Sequence, residues 1–253
     1  MPQYSGASAG LAEWFATPLG AHVLAWELAQ FDLATEDAFG YRAVQVGLHG
    51  IDFLRANRIP FRFTLALEQG AAVAADPMQL PLAAQSVDLL VLPHALEMTA
   101  DPRLVLREAE RVLMPEGQLV ISGFNPLSLW RVRQMFAGRG APPPWNERFI
   151  GLLRLKDWMH LLGFDLNGGR FGCYAPPFRS EKWLGRFGFM EKAGARWWPI
   201  MGGTYVVRAV KRVHGTRVIT PAWRRERARR RALAAFPQRN GHPGAHSHRR
   251  RDV

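Results

Sequence analysis

The sequence predicts an α/β domain built on a mostly parallel sheet with helices on both faces and an antiparallel last strand. Three observations lead there. Short apolar strands such as "RAVQVG" (42–47) and "SVDLLVL" (86–92) recur along the first half. A capped, amphipathic helix, "DPRLVLREAERVL" (101–113), separates the fourth strand from the fifth. The fifth, "QLVISGF" (118–124), is apolar on both faces, as a central parallel strand covered by helical crossovers must be.

In chain order, residues 11–38 read as helical. Thr17-Pro18 supplies an N-cap and a first-turn proline, Leu19, Val23, Trp26 and Leu33 the apolar spacing, and Gly40 the stop signal. Strands follow at 42–47, 61–67, 71–76 and 86–92. Asp101 caps the next helix, whose buried stripe is Leu106, Ala109 and Leu113. Beyond the fifth strand come a Pro/Gly-rich loop (138–149) and a helix at 155–164 ending at Gly163. A strand bent at Gly168-Gly169 (164–177), a short helical insertion (180–194) and a closing strand (204–213) complete the domain. The domain reading is 1–40 helical segment, 41–125 ligand-binding core, 126–213 second half of the sheet with a tryptophan-rich cover, and 214–253 basic tail.

The chain has 253 residues, 48% hydrophobic, enough for a sizeable core. It contains no apolar run long enough to span a bilayer. The one cysteine, Cys173, excludes a disulfide framework and a cysteine zinc site, and fits a reducing, cytoplasmic setting. The formal charge of +12 is concentrated in the last 43 residues, which hold 13 Lys/Arg against 2 Asp/Glu. This stretch, with "RRERARRR" at 224–231, reads as a disordered tail with one short helix around 222–235. It is either a solubilising appendix or a handle for RNA, DNA or anionic lipid. No cluster has metal-ligand spacing, and the tail's "HPGAHSH" reads as an incidental histidine tract.

Ligands of parallel sheets lie beyond the carboxyl ends of the strands. Gly47 in "QVGLHG" allows close backbone approach there. Glu68, after the second strand, is either an acceptor for a ribose diol or an exposed turn glutamate before Gly70. Asp76, after the third, is either an acceptor for an adenine amino group or a turn cap. His94, after the fourth, is either a general base or a histidine that holds the strand end. Asn125 leaves the fifth strand at the same edge. Six of the nine tryptophans fall between 130 and 198, among them Trp130 and Trp145. They either cover a flat, apolar substrate or pack the later segments onto the sheet.

Asp76, Leu80-Pro81-Leu82, Val87-Asp88, His94, Glu97, Glu108, Arg111-Val112-Leu113, Pro115 and Gly117, in this order and spacing, resemble the type 11 domain of class I S-adenosylmethionine-dependent methyltransferases. The resemblance implies the Rossmann-like sandwich of that class and S-adenosylmethionine as cofactor. It implies adenine at Asp76, with Pro77 and Met78 beside it, ribose at Glu68, and the methionine part near Gln45, Gly47, His49, Gly50 and Pro93. His94 would face the methyl group, with Asn125, Trp130 and Trp145 toward a small or medium-sized acceptor. Gln45, His49 and Ile51 stand where the family's first loop carries an acid and two glycines, and no room is left for a helix between strands two and three. The expectation is therefore an enzyme of reduced cofactor affinity. Two further readings stay open: a degenerate, non-catalytic binding module, and an RNA methyltransferase using the arginine tail at 224–251.

Overall fold

The structure, a computed structural model, describes residues 3–68, 70–137, 141–177 and 189–212. The basic tail with its "HPGAHSH" tract, and most of the 180–194 insertion with Trp183, lie outside the described residues. Seven strands form one sheet: β1 (Arg42–Val46), β2 (Phe61–Ala66), β3 (Val73–Ala74), β4 (Val87–Pro93), β5 (Leu113–Phe124), β6 (Phe164–Gly172) and β7 (Thr204–Lys211). Their order is β3-β2-β1-β4-β5-β7-β6. The first five pair in parallel, and β7 is antiparallel to both β5 and β6. This is the predicted doubly covered α/β sheet.

Two apolar cores lie on its two faces. One joins Val105, Leu106, Ala109 and Val112 of helix α3 (Pro102–Val112) and Leu155 and Met159 of α5 (Leu152–Leu161) to alternate strand residues such as Leu90 and Ile121. The other joins Leu11, Trp14 and Phe15 of α1 (Gln3–Phe15) and Val23 and Phe31 of α2 (Pro18–Thr35) to Leu89, Val91 and Val120. Leu89/Val91 and Leu90/Leu92 alternate between these cores because successive strand side chains point to opposite faces. Two short helices complete the described chain, α4 (Leu129–Phe136) and α6 (Phe189–Trp197).

Several elements depart from the sequence reading. The first helical stretch is two helices that break at Ala16-Thr17. Thr17 Oγ1 accepts from Gly20 N at 3.2 Å, as an N-cap should. A Cβ on Gly20 would lie 2.0 Å from the Trp14 carbonyl oxygen, so only glycine permits this corner. Helix α2 stops at Thr35, before Gly40, and Leu33 is exposed. Its buried row is instead Leu19, Val23, Glu27, Phe31 and Thr35 at strict i+4 spacing. No helix separates β2 from β3, as the seven intervening residues between Glu68 and Asp76 required. Among the described residues, no helix is long and apolar enough to cross a membrane.

The family-like motif residues hold backbone together. Asp88 Oδ2 accepts the Tyr41 and Arg42 amides at 2.8 and 2.9 Å, pinning the entry of β1 beside β4. Glu108 Oε2 accepts from Leu80 N at 2.9 Å. Arg111 donates to the Leu80 and Leu82 carbonyls at 2.9 and 2.8 Å and pairs with Glu108 at 2.7 Å. That guanidinium contact holds the Glu108 carboxyl below its usual range. The Glu-x-x-Arg spacing thus clamps the 80–82 turn, which fixes the segment carrying Asp76.

Candidate functional site

Gly47, Glu68 and Asp76 follow β1, β2 and β3, so the parallel sheet brings all three to one edge. Gly47 has φ +85° and Leu48 +46°, a turn that leads the chain away from the sheet. Gly50 meets nothing within 4 Å of a built Cβ and sits in open space.

Gln45 is buried beneath this turn. Its Nε2 donates to the carbonyls of Gly47 (3.1 Å), Leu48 (3.1 Å) and Ile51 (2.8 Å), and its Oε1 accepts from Phe53 N at 3.0 Å. The acceptor expected to face the cofactor is therefore spent inside the loop. The loop presents three carbonyls to this position, and only a donor suits them. Gln45→Glu should accordingly lower stability by about 2 kcal/mol or more, because a carboxylate would face three carbonyl oxygens at hydrogen-bond range. Urea denaturation checks this; a variant as stable as the parent would refute the plug.

Glu68 carries the clearest sign of a missing partner. Its side chain is only 12% exposed, and neither Oε1 nor Oε2 accepts a hydrogen bond among the described residues. The His49 imidazole stands beside it, with Nδ1 3.8 Å from Oε2, beyond hydrogen-bond range. The His49 ring also approaches Gly70, whose built Cβ would lie 3.3 Å from Nε2. The imidazole therefore spans the gap between the turns after β1 and β2. At 29% exposure it keeps a solvent side to swing into.

Asp76 Oδ1 accepts from Met78 N at 2.8 Å and its carbonyl from Gln79 N at 2.9 Å, so it caps its own turn. Its Oδ2 accepts no hydrogen bond among those described. Pro77 is buried, and Met78 packs on the core. Pro93 ends β4, opposite Ser122.

His94 is turned into the core instead. It is fully buried at φ +52°, with Nδ1 2.7 Å from Glu97 Oε2 and Nε2 2.9 Å from Glu27 Oε1. Thr204 Oγ1 donates to the same Glu27 oxygen at 2.6 Å, and Phe124 N to Glu97 Oε1 at 2.5 Å. With a carboxylate on each nitrogen, both nitrogens donate and the ring is imidazolium. Burial alone would depress its pKa, but Glu27 and Glu97 overcome this and raise it to about 10. Burial pushes Glu97 up to about 7 against the pull of His94. A general base needs a free lone pair and access to the proton it takes, and His94 has neither. The geometry corrects the base expectation: His94 is the centre of a buried ionic bridge from α2 to the ends of β4, β5 and β7.

Glu27 escaped sequence reasoning because its partner lies 67 residues away. The available signal was an acid at the i+4 position between Val23 and Phe31, on the face that α2 buries.

The expected acceptor residues are corrected likewise. Asn125 is buried; Nδ2 donates to the Ile200 and Gly202 carbonyls at 2.8 and 2.9 Å, and Oδ1 accepts from Leu127 N. Trp130 and Trp145 are buried and stack in a cluster with Trp14, Phe124 and Phe149. Trp130 Nε1 donates to the Ala175 carbonyl at 3.1 Å. These rings pack α1 and α4 against the sheet and present no face to a ligand. Among the described residues, no group of His, Cys, Asp and Glu could hold a metal ion.

Comparison with known proteins agrees with this architecture. Residues 43–121 match the model of a methyltransferase domain family. The uncharacterized protein YafS of Escherichia coli K12 is 46% identical over 100 residues, 39% of this chain and 42% of that one. The malonyl-[acyl-carrier protein] O-methyltransferase of Laribacter hongkongensis is 37% identical over 94 residues, 37% of this chain and 31% of that one. The matched region is thus less than half the length of these curated relatives. A SAM-dependent methyltransferase from Thermotoga maritima shares the fold, with a TM-score of 0.55 at 18% identity over 79% of this chain and 94% of that one. Over residues 43–121 the chain is thus similar to a methyltransferase domain family, and its fold is the one seen in a SAM-dependent methyltransferase.

Proposed function

We propose that the chain binds S-adenosylmethionine across the carboxyl ends of β1, β2 and β3 and promotes transfer of its methyl group. The observation that carries this reading is the Glu68 carboxylate, sequestered from water with neither oxygen accepting a hydrogen bond among the described residues. Burying an unpaired carboxylate is costly and is not retained without a donor to receive. A ribose diol supplies two adjacent hydroxyl donors at the required spacing. The fit extends to Asp76, whose second oxygen remains to accept from an adenine amino group while Oδ1 holds the turn. Gly47 removes any side chain from the approach of the methionine part, and the Gln45 plug keeps that turn rigid. The bound group supplies a sulfonium-activated methyl carbon. With His94 engaged on both nitrogens, the protein's contribution is proximity and alignment, and the acceptor brings its own lone pair.

A second reading, a domain that has kept the fold and retired the chemistry, is favoured by one observation. The His49 ring lies between Glu68 and Gly70, in the way of a ribose that would reach Glu68 from that side. Isothermal titration with S-adenosylhomocysteine separates the two. The active reading expects saturable heat from the parent protein and an increase in affinity of about tenfold for His49→Gly, which removes the displacement step. Absence of heat from both folded proteins at millimolar ligand would sink it.

A further inference from the structure

Helices α3 and α5 pack on one face of the sheet, and both begin at its carboxyl edge. Asp101 caps α3 after the loop that leaves β4. Ile150, just before α5, is held at the same edge by Tyr205. The Tyr205 hydroxyl donates to the Ile150 carbonyl at 2.9 Å, and Tyr205 pairs with Gly123 near the end of β5. Between the two helix starts lies a cavity of about 380 Å³. That volume suits a small organic molecule. Strand β4 stands between β5 and β1, so this cavity and the Gly47–Glu68–Asp76 crevice occupy one edge without sharing a residue.

The lining is divided by chemistry. Phe149 and Ile150 are buried and give an apolar floor, while Arg103, Arg148 and Arg154 are exposed and stand around it. Arg103 lies over the Trp158 ring, 5.1 Å from its centroid, an arrangement that leaves the in-plane N–H donors for another partner. Arg148 and Arg154 donate no hydrogen bond and meet no carboxylate among the described residues. Among those residues Asp101 is the one acid on the lining, and its Oδ1 already accepts from Arg103 N at 2.9 Å. Three guanidiniums therefore face one committed carboxylate, an excess of two positive charges. No side chain caps α5, whose N-cap is Gly151, so its first-turn amides add donors at the same end. A hollow lined by one sign of charge concentrates its field there and draws in an anion.

We propose that this cavity is a binding site for an organic phosphate monoester. The phosphate dianion matches the excess of two charges, and guanidiniums take its oxygens in pairs. The apolar or aromatic body of the ligand lies on the Phe149–Ile150 floor. A carboxylate would leave one positive charge unmatched, and a neutral ligand would leave two. Under the methyl-transfer reading, on which this clause alone rests, the phosphate is the handle that holds the methyl acceptor at the carboxyl edge.

The test is calorimetric titration of the full chain with phenyl phosphate at low ionic strength, above the second phosphate pKa and without S-adenosylmethionine. Saturable binding to the parent is expected, with benzoate, an aromatic anion of one charge, about tenfold weaker. Arg148→Gln/Arg154→Gln alters two exposed side chains and should weaken phenyl phosphate binding by about tenfold or more. Arg58→Gln/Arg170→Gln removes the same charge elsewhere and should titrate like the parent; Arg170 lies on the other face of the sheet, against Gln30 and Ala34 of α2. Binding that survives Arg148→Gln/Arg154→Gln, or falls equally in both double variants, would assign the attraction to charge at large and overturn the proposal. No saturable binding by the parent, or benzoate equal to phenyl phosphate, would overturn it too. Displacement of phenyl phosphate by S-adenosylhomocysteine would put the anion in the crevice instead and have the same effect. Because the first titration contains no cofactor, its failure leaves the S-adenosylhomocysteine titration untouched, and the reverse holds.

Discussion

Glu68→Gln is expected to weaken S-adenosylhomocysteine binding by roughly 100-fold while leaving the unliganded protein at least as stable as the parent. The two effects share one cause. Both carboxylate oxygens are sequestered and accept no hydrogen bond among the described residues, so the side chain stands at an energetic loss. Replacing it with a neutral amide of the same shape relieves that loss by about 1 kcal/mol, discounted for the 12% of the side chain that remains exposed. In the complex the argument reverses. Hydrogen bonds to a charged acceptor are worth about 1.5–3 kcal/mol each. A diol makes two, and glutamine keeps one neutral acceptor and turns the other into a donor aimed at a donor. Calorimetry for affinity and urea denaturation for stability must therefore move in opposite directions. A glutamate held for structural reasons would lose stability on substitution, and loss of both quantities together would refute the ribose role.

The same residue shows where the sequence was legible. Glu68 and Asp76 stand directly after strands, and parallel strands send their carboxyl ends to one edge whatever the details of packing. Asp88, Glu108 and Arg111 were legible for a related reason. They belong to the recurring pattern that the chain resembles, and each bonds backbone across elements: Asp88 ties β4 to the start of β1, and Glu108 and Arg111 tie α3 to the 80–82 turn. The short link between β2 and β3 was a matter of length, since too few residues remained for a helix.

The failures have a different origin. His94 follows a strand just as Glu68 does, yet its environment is decided by Glu27 from α2 and Thr204 from β7, neither of which adjoins it in sequence. Gln45 has the residue type of an acceptor, but the direction of three loop carbonyls determines which of its atoms is used. Trp130 and Trp145 follow the same pattern. Their position after β5 suggested a substrate cover, while Trp14 of α1 arrived from the other end of the chain and closed over them. A residue's place after a strand can be read from sequence; the partners its side chain meets need the tertiary structure.

The Glu27–His94–Glu97 bridge yields the second large effect. His94→Gln should cost about 3–5 kcal/mol of stability, because it leaves two buried carboxylates facing one another with no cation between them. The parent's pH profile gives the same conclusion independently. The His94 pKa is raised from 6.5 in the unfolded chain to about 10 in the fold. Its stabilising contribution is fully present below pH 6.5 and is lost as pH rises toward 10, since the folded state then holds a proton that the unfolded state has released. Glu97, raised from 4.5 to about 7, acts in the same direction at lower pH: the fold favours its protonated form, and stability falls as pH climbs through that interval. The parent should therefore lose stability continuously from about pH 4.5 to pH 10. Between pH 7 and pH 9 the falling limb in the parent belongs to His94; above that the buried Cys173 thiol and Tyr205 phenol, both raised by burial, add to it. Urea denaturation of the parent at pH 7 and pH 9 decides it. A parent equally stable at the two values would mean that the imidazole is neutral in the fold, and the bridge would then be a pair of ordinary hydrogen bonds rather than an ionic tie. If the tie holds, α1 and α2 are fastened across the ends of β4, β5 and β7 by charge as well as by Trp14, Phe15 and Phe31. That end of the sheet is then held firmly at neutral pH and loosens as His94 gives up its proton.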